Sequence, residues 1–154
     1  MPKKHTLKSL GSHEFLLIGV ITPLPGYRLC YFLNKSLCLR LARTKDLPSK
    51  ETDDDGFQLY EYLDKERQNE WYLLGNKAGN QLLLPALKQF DYFLLTNCLP
   101  HSLTFESVAE TIRIISQVQI AQIIEYEHVK GLDCLFEDFE MHIMQIVRSN
   151  KGVR

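Results

Sequence analysis

The sequence predicts an α+β domain: an antiparallel sheet of about five to seven strands with two to three helices packed on one face. Three observations lead there. A continuous apolar run lies near the N-terminus, residues 57–84 alternate in polarity between turns rich in Asn and Gly, and two later segments repeat apolar residues at helical spacing.

The run from Phe15 to Val20 is apolar on both alternating faces, so a first strand over Glu14 to Val20 is expected in a central position. Thr22-Pro23-Leu24-Pro25-Gly26 ends it. Leu29, Cys30, Leu33 and Leu37 then share one face at helical spacing, with Arg28 and Lys35 outward, which predicts a helix over 27–37. Leu39 and Leu41 alternate with Arg40 and Ala42 as in a short strand, and Asp46 to Gly56 reads as a loop.

Residues 57–63, 70–74 and 81–84 read as a three-stranded meander, with Tyr60, Tyr62, Trp71 and Tyr72 supplying the aromatic content of antiparallel pairs. Pro85 interrupts the ladder, and Tyr92–Thr96 begins another strand. Thr104 fits a helix cap and Glu106 the first turn, with Phe105, Val108, Ala109, Ile112 and Ile115 on one face. Val118 to Ile124 suits either a strand or a helix. A final helix is predicted from Leu132, Leu135, Phe136, Phe139, Ile143, Ile146 and Val147. Residues 1–12 read as a mobile lead-in, 13–147 as one domain and 148–154 as a frayed basic tail.

With 154 residues, 45% of them hydrophobic, the chain has enough apolar material for a single core without disulfide staples. Cys30, Cys38, Cys98 and Cys134 lack paired C-x-x-C spacing, so buried free thiols and a reducing, cytoplasmic compartment are expected. A net charge of −1 points to neither a polycation nor an acidic disordered chain. No apolar run approaches the roughly 20 residues that a membrane helix needs.

The stretch Leu84-Pro85-Ala86-Leu87-Lys88-Gln89-Phe90-Asp91-Tyr92 resembles the signature of the IPExxxVDY family of bacterial proteins, which is described by its motif and carries no assigned activity. Phe15-Leu16-Leu17-Ile18-Gly19, Tyr27-Arg28-Leu29-Cys30 with Asn34, and Asn76-Lys77 extend the likeness, which runs from about Phe15 to about Phe136. Leu84 and Phe90 are conservative departures, whereas Ala86 stands where the family has an acid, so catalysis centred on the motif is not expected. The resemblance marks Pro85, Asp91, Tyr92, Arg28 and Asn34 as structural, and implies an Arg28–Asp91 ion pair tying the first helix to the strand after the motif. The section after Phe136 extends beyond the usual end of the family.

Other chemistry has little support. Taking Gly56 as the sixth position of a calcium loop puts Asp53 and Asp55 on ligand positions but Tyr62 where a bidentate glutamate is required. His5, His13, His101, His128 and His142 show no metal-ligand spacing, and Cys98 with His101 lacks an accompanying oxyanion-forming glycine turn. No phosphate loop or dinucleotide fingerprint occurs, so no cofactor is expected. One imbalance survives. Arg28, Lys35, Arg40, Arg43, Lys45 and Lys50 are interrupted only by Asp46. The expectation is therefore a non-enzymatic interaction or accessory protein with a protein partner. The alternative is an RNA-binding protein using the Arg28–Lys50 segment, with Arg40, Arg43 and Lys45 on phosphates. The oligomeric state is not set by the sequence.

Overall fold

The computed structural model describes residues 16–49, 56–97, 99, 102–125, 129 and 132–152. Its centre is an antiparallel sheet built from β1 (Leu16–Ile21), β2 (Ala42–Arg43), β5 (Leu59–Asp64), β6 (Asn69–Gly75), β9 (Tyr92–Thr96) and β10 (Ile120–Ile123). The strand order is β10-β1-β9-β6-β5-β2. Two small hairpins flank it: β3 (Leu47–Pro48) with β4 (Gly56–Phe57), and β7 (Lys77–Ala78) with β8 (Gln81–Leu82). Three helices complete the α+β fold: α1 (Gly26–Leu37), α2 (Phe105–Ile114) and α3 (Leu132–Gly152).

Period-two alternation divides the sheet into two apolar faces. Register places Ile18 beside Leu94, Leu94 beside Leu73, and Leu73 beside Tyr60. That row packs with Leu29, Leu33 and Leu37 of α1 and with Val108 and Ile112 of α2. One residue along each strand, Leu17, Leu95 and Tyr72 point the other way and join Leu132, Leu135 and Phe139 of α3. Two helices thus cover one face and α3 covers the opposite one, which corrects the expectation that the helices share a single face. A sheet so apolar on both sides needs both covers, because each large side chain buried contributes about 1.5–3 kcal/mol.

Local chemistry fixes the helix ends. Pro25 opens α1, its carbonyl accepting from the amides of Arg28 and Leu29 at 3.0 Å. Cys38 closes it in the left-handed region at φ 58°. Thr104 and Ser107 exchange side-chain and backbone bonds in a capping box at the start of α2, with Glu106 in the first turn as expected.

Several expectations need correction. Leu39 and Leu41 form no strand; both are buried, and the short edge strand lies just beyond, at Ala42–Arg43. Within the expected 46–56 loop, Leu47 and Pro48 pair with Phe57 and Gly56, because Leu47 is apolar enough to bury. The third meander strand is only β8, paired with β7, and β9 takes the place beside β6. Phe105 is exposed although it shares the α2 periodicity. The open 118–124 stretch resolves as β10, antiparallel to β1, and α3 runs on to Gly152, past the boundary expected at residue 147. The 1–12 lead-in lies outside the described residues.

Candidate functional site

The motif turn is organised by Asn76, a wholly buried side chain at the end of β6. Its Nδ2 donates to the carbonyls of Leu87 and Phe90 at 3.1 and 2.9 Å, and its Oδ1 accepts from the Leu84 amide at 2.9 Å. Its backbone amide donates to the Asp91 carbonyl, and its carbonyl accepts from the Leu83 amide. Every polar atom of Asn76 therefore closes the excursion between β8 and β9, which Pro85 begins as a 3-10 turn over Pro85–Leu87. Pro85 suits that place because its φ is already set and the first turn needs no amide donor.

Asp91 and Tyr92 then reach back to the loop between β1 and α1. Asp91 Oδ2 accepts from the Thr22 amide at 2.9 Å, and Oδ1 pairs with Lys77 Nζ at 2.8 Å. The Tyr92 hydroxyl donates to the Leu24 carbonyl at 3.0 Å. Thr22 itself donates to the Gln117 carbonyl at 2.8 Å, drawing the turn before β10 into the same network. Burial, followed by the neighbouring Tyr60 and Asp91, pushes the Tyr92 hydroxyl up to about 12, so it stays a donor at neutral pH.

The Arg28–Asp91 pair does not form. Asp91 takes Lys77 instead, and Arg28 extends over the Phe32 ring at 6.0 Å. Arg28 lies on the exposed side of α1 while Lys77 stands beside the motif turn, so the nearer cation captures the carboxylate. Asn34 clamps the segment after α1: its Oδ1 accepts from the Leu41 amide at 2.8 Å and its Nδ2 donates to the Leu41 carbonyl at 3.1 Å. That clamp gives Leu41 the backbone partners of a strand without a strand.

The basic segment is less uniform than its sequence. Arg43 pairs with Asp46 at 2.6 Å and lies 5.5 Å from the Tyr60 ring centre, and its pKa is raised chiefly by the Asp46 hydrogen bond. Arg40 and Lys45 are exposed, while Lys50 lies outside the described residues. Asp53 and Asp55 of the calcium reading, Cys98, and His5, His13, His101 and His128 are also outside them. Among the described residues no group of three or more His, Cys, Asp or Glu could hold a metal, and no helix is long and apolar enough to cross a membrane. Cys30 is a buried free thiol, but Cys38 and Cys134 are exposed, correcting the expectation that the thiols are buried.

Two features escaped the sequence reading. Tyr27 and Tyr31 are 69% and 59% exposed on α1, beside exposed Arg28 and Lys35. Their spacing of four residues, opposite the apolar stripe, was the available signal. Beneath α3, Glu61 and Tyr72 are paired across β5 and β6, Tyr72 donates to Glu70 Oε1 at 2.9 Å, and His142 Nε2 lies 3.2 Å from the Lys45 carbonyl. Burial, then the charge of Glu70, raises the Glu61 pKa, while His142 opposes the rise. This cluster depends on strand register and on where α3 lands, neither of which has a local signature.

No protein-family model, curated protein or solved structure matches the chain.

Proposed function

We propose that the protein is a non-enzymatic interaction module that docks a protein partner through the outward side of α1. The carrying observation is the exposure of Tyr27 and Tyr31, at 69% and 59%, on a helix whose opposite side is core. Tyrosine and arginine are the residue types that concentrate binding energy at interfaces, and Arg28 follows Tyr27 directly and stands one turn before Tyr31. A tyrosine this exposed adds little to folding, so its apolar ring is available to a partner. Asn76, Asp91, Tyr92 and Asn34 are occupied in backbone bonds, which supports an architectural reading of the motif. Membership of the IPExxxVDY family and action in a reducing cytoplasm belong to the same proposal; Pro85, Asp91 and Tyr92 support the first, and the free thiols of Cys30, Cys38 and Cys134 the second.

RNA binding is the second reading, favoured by exposed tyrosines interleaved with Arg28 and Lys35, which could stack bases beside phosphate contacts. Against it, Arg43 is engaged with Asp46. Affinity capture with the full chain separates the two. A protein partner that survives nuclease treatment and is lost in Tyr27→Ala/Tyr31→Ala, with unchanged thermal unfolding, supports the first reading. Steeply salt-dependent RNA binding that Arg40→Glu/Arg43→Glu abolishes replaces it with the second.

A further inference from the structure

The side of α1 just described has a complement on the same molecule. α3 points Asp133, Glu137, Met141 and Met144 outward, the two methionines 61% and 55% exposed, while Leu132, Leu135 and Phe139 face the sheet. At 100° per residue those four outward positions fall within a sector of roughly 80°. On α1, Arg28, Tyr31 and Lys35 fall in a similar sector with Tyr27 beside it.

The order of chemistry along each helix is also complementary. α1 carries its tyrosines first and Lys35 in its last turn, whereas α3 carries its acids first and its methionines later. Laid antiparallel, Lys35 meets Asp133 and Glu137, and Tyr27 and Tyr31 meet Met141 and Met144. Methionine sulfur against an aromatic ring is a favourable contact in its own right. The spans agree as well. Tyr27 to Lys35 covers about 12 Å and Asp133 to Met144 about 16 Å, a difference of less than one helical turn.

We infer that the partner of the α1 surface is a second copy of this chain, which presents the outward stripe of its α3. This rests on the reading of α1 as a docking surface and names its occupant. Because α1 and α3 lie on opposite faces of the sheet, the contact is head-to-tail, and successive copies form a chain or a ring rather than a twofold dimer. A twofold, antiparallel contact of α1 with itself would set Arg28 against Lys35 of the other copy. A net charge of −1 leaves little overall repulsion between copies.

Sedimentation velocity of the full chain over a wide concentration range tests this. Concentration-dependent growth beyond a dimer, reduced by added salt, is expected. Lys35→Glu alone and Glu137→Lys alone should each weaken association about tenfold, and the two combined in one chain should restore it. Tyr27→Asp/Tyr31→Asp and Met141→Asp/Met144→Asp should each fail to self-associate, yet form a heterodimer and nothing larger when mixed. All of these positions are exposed, so unchanged thermal unfolding is the control. A monomer at every concentration overturns the inference, as does undiminished self-association of the methionine variant. Either result, with capture of a different protein still dependent on Tyr27 and Tyr31, leaves the docking role of α1 standing.

Discussion

Asp91 holds the amide of Thr22, 69 residues earlier in the chain, at 2.9 Å through Oδ2. The bond fastens the strand after the motif to the loop that turns β1 into α1. The same carboxylate holds Lys77 through its other oxygen, but Lys77 is half exposed and its charge is screened. The amide bond is thus the stronger half of the arrangement, because a charged acceptor on a backbone donor contributes about 1.5–3 kcal/mol.

Asp91→Ala should lower unfolding free energy by about 2 kcal/mol, and Lys77→Ala by less than about 1 kcal/mol. A double-mutant cycle in urea should give measurable coupling between Asp91 and Lys77 and additivity between Asp91 and Arg28. Coupling to Arg28 larger than to Lys77 would contradict the observed pairing.

Asn76→Ala removes three side-chain bonds and strands the Leu84 amide and the Phe90 carbonyl, while the Leu87 carbonyl keeps the Phe90 amide. Leaving buried groups unpaired should cost about 3 kcal/mol or more, beyond the loss for Asp91→Ala. Hydrogen exchange should locate the loosening in 83–91. A loss no greater than that of an exposed Asn-to-Ala change would rule out the central role of Asn76.

Why Asn76 was legible only as part of a resemblance, while α2 was legible outright, follows from the range of the interactions. Thr104, Ser107 and the Val108, Ala109, Ile112 stripe lie within three turns, so periodicity and capping identify them locally. The β5–β6 hairpin is likewise written in its alternation and its turn. By contrast, Arg28 and Lys77 compete for Asp91 across the fold, and no local pattern decides between them. β8 reads like a third meander strand, yet register gives that place to β9. The Glu61, Glu70, Tyr72 and His142 cluster is further removed still, since it requires α3 to settle on the face opposite α1.

Folded Glu61 has a raised pKa, chiefly through burial and then through Glu70. Protonation therefore favours the folded state: its stability contribution is complete below the unfolded glutamate pKa and is lost as pH rises towards and through the folded value. Relative to wild type, Glu61→Gln should gain stability as pH rises above the ordinary glutamate range. Urea midpoints of the two proteins should converge at lower pH. A difference that does not vary with pH would eliminate this coupling.

Thiol labelling should distinguish the described cysteines. Cys38 and Cys134 are exposed and should react in the native protein, whereas Cys30 is buried and its pKa is raised by desolvation despite the Asn34 contact. Peptide mapping after brief alkylation should show Cys30 protected until denaturant is added. The reducing-compartment proposal further requires that protein unfolded without reductant titrate all four cysteines as thiols. Consistent recovery of two or fewer would overturn it.

Gly19 and Phe90 should behave as one unit. A Cβ added at Gly19 would lie 2.6 Å from Phe90 Cδ1 and 2.8 Å from Ile124 Cδ1, well inside contact distance, and Phe90 is buried within the turn that Asn76 pins. The ring cannot swing away without disturbing its own backbone, whose carbonyl accepts from Asn76. Gly19→Ala should therefore destabilise by about 1–3 kcal/mol through overpacking. Phe90→Val alone should also destabilise, by leaving a cavity over Gly19. Combined, the added methyl occupies part of that cavity, so the double variant should be more stable than the sum of the two losses predicts. Additivity in the cycle would show that the two residues do not share this space.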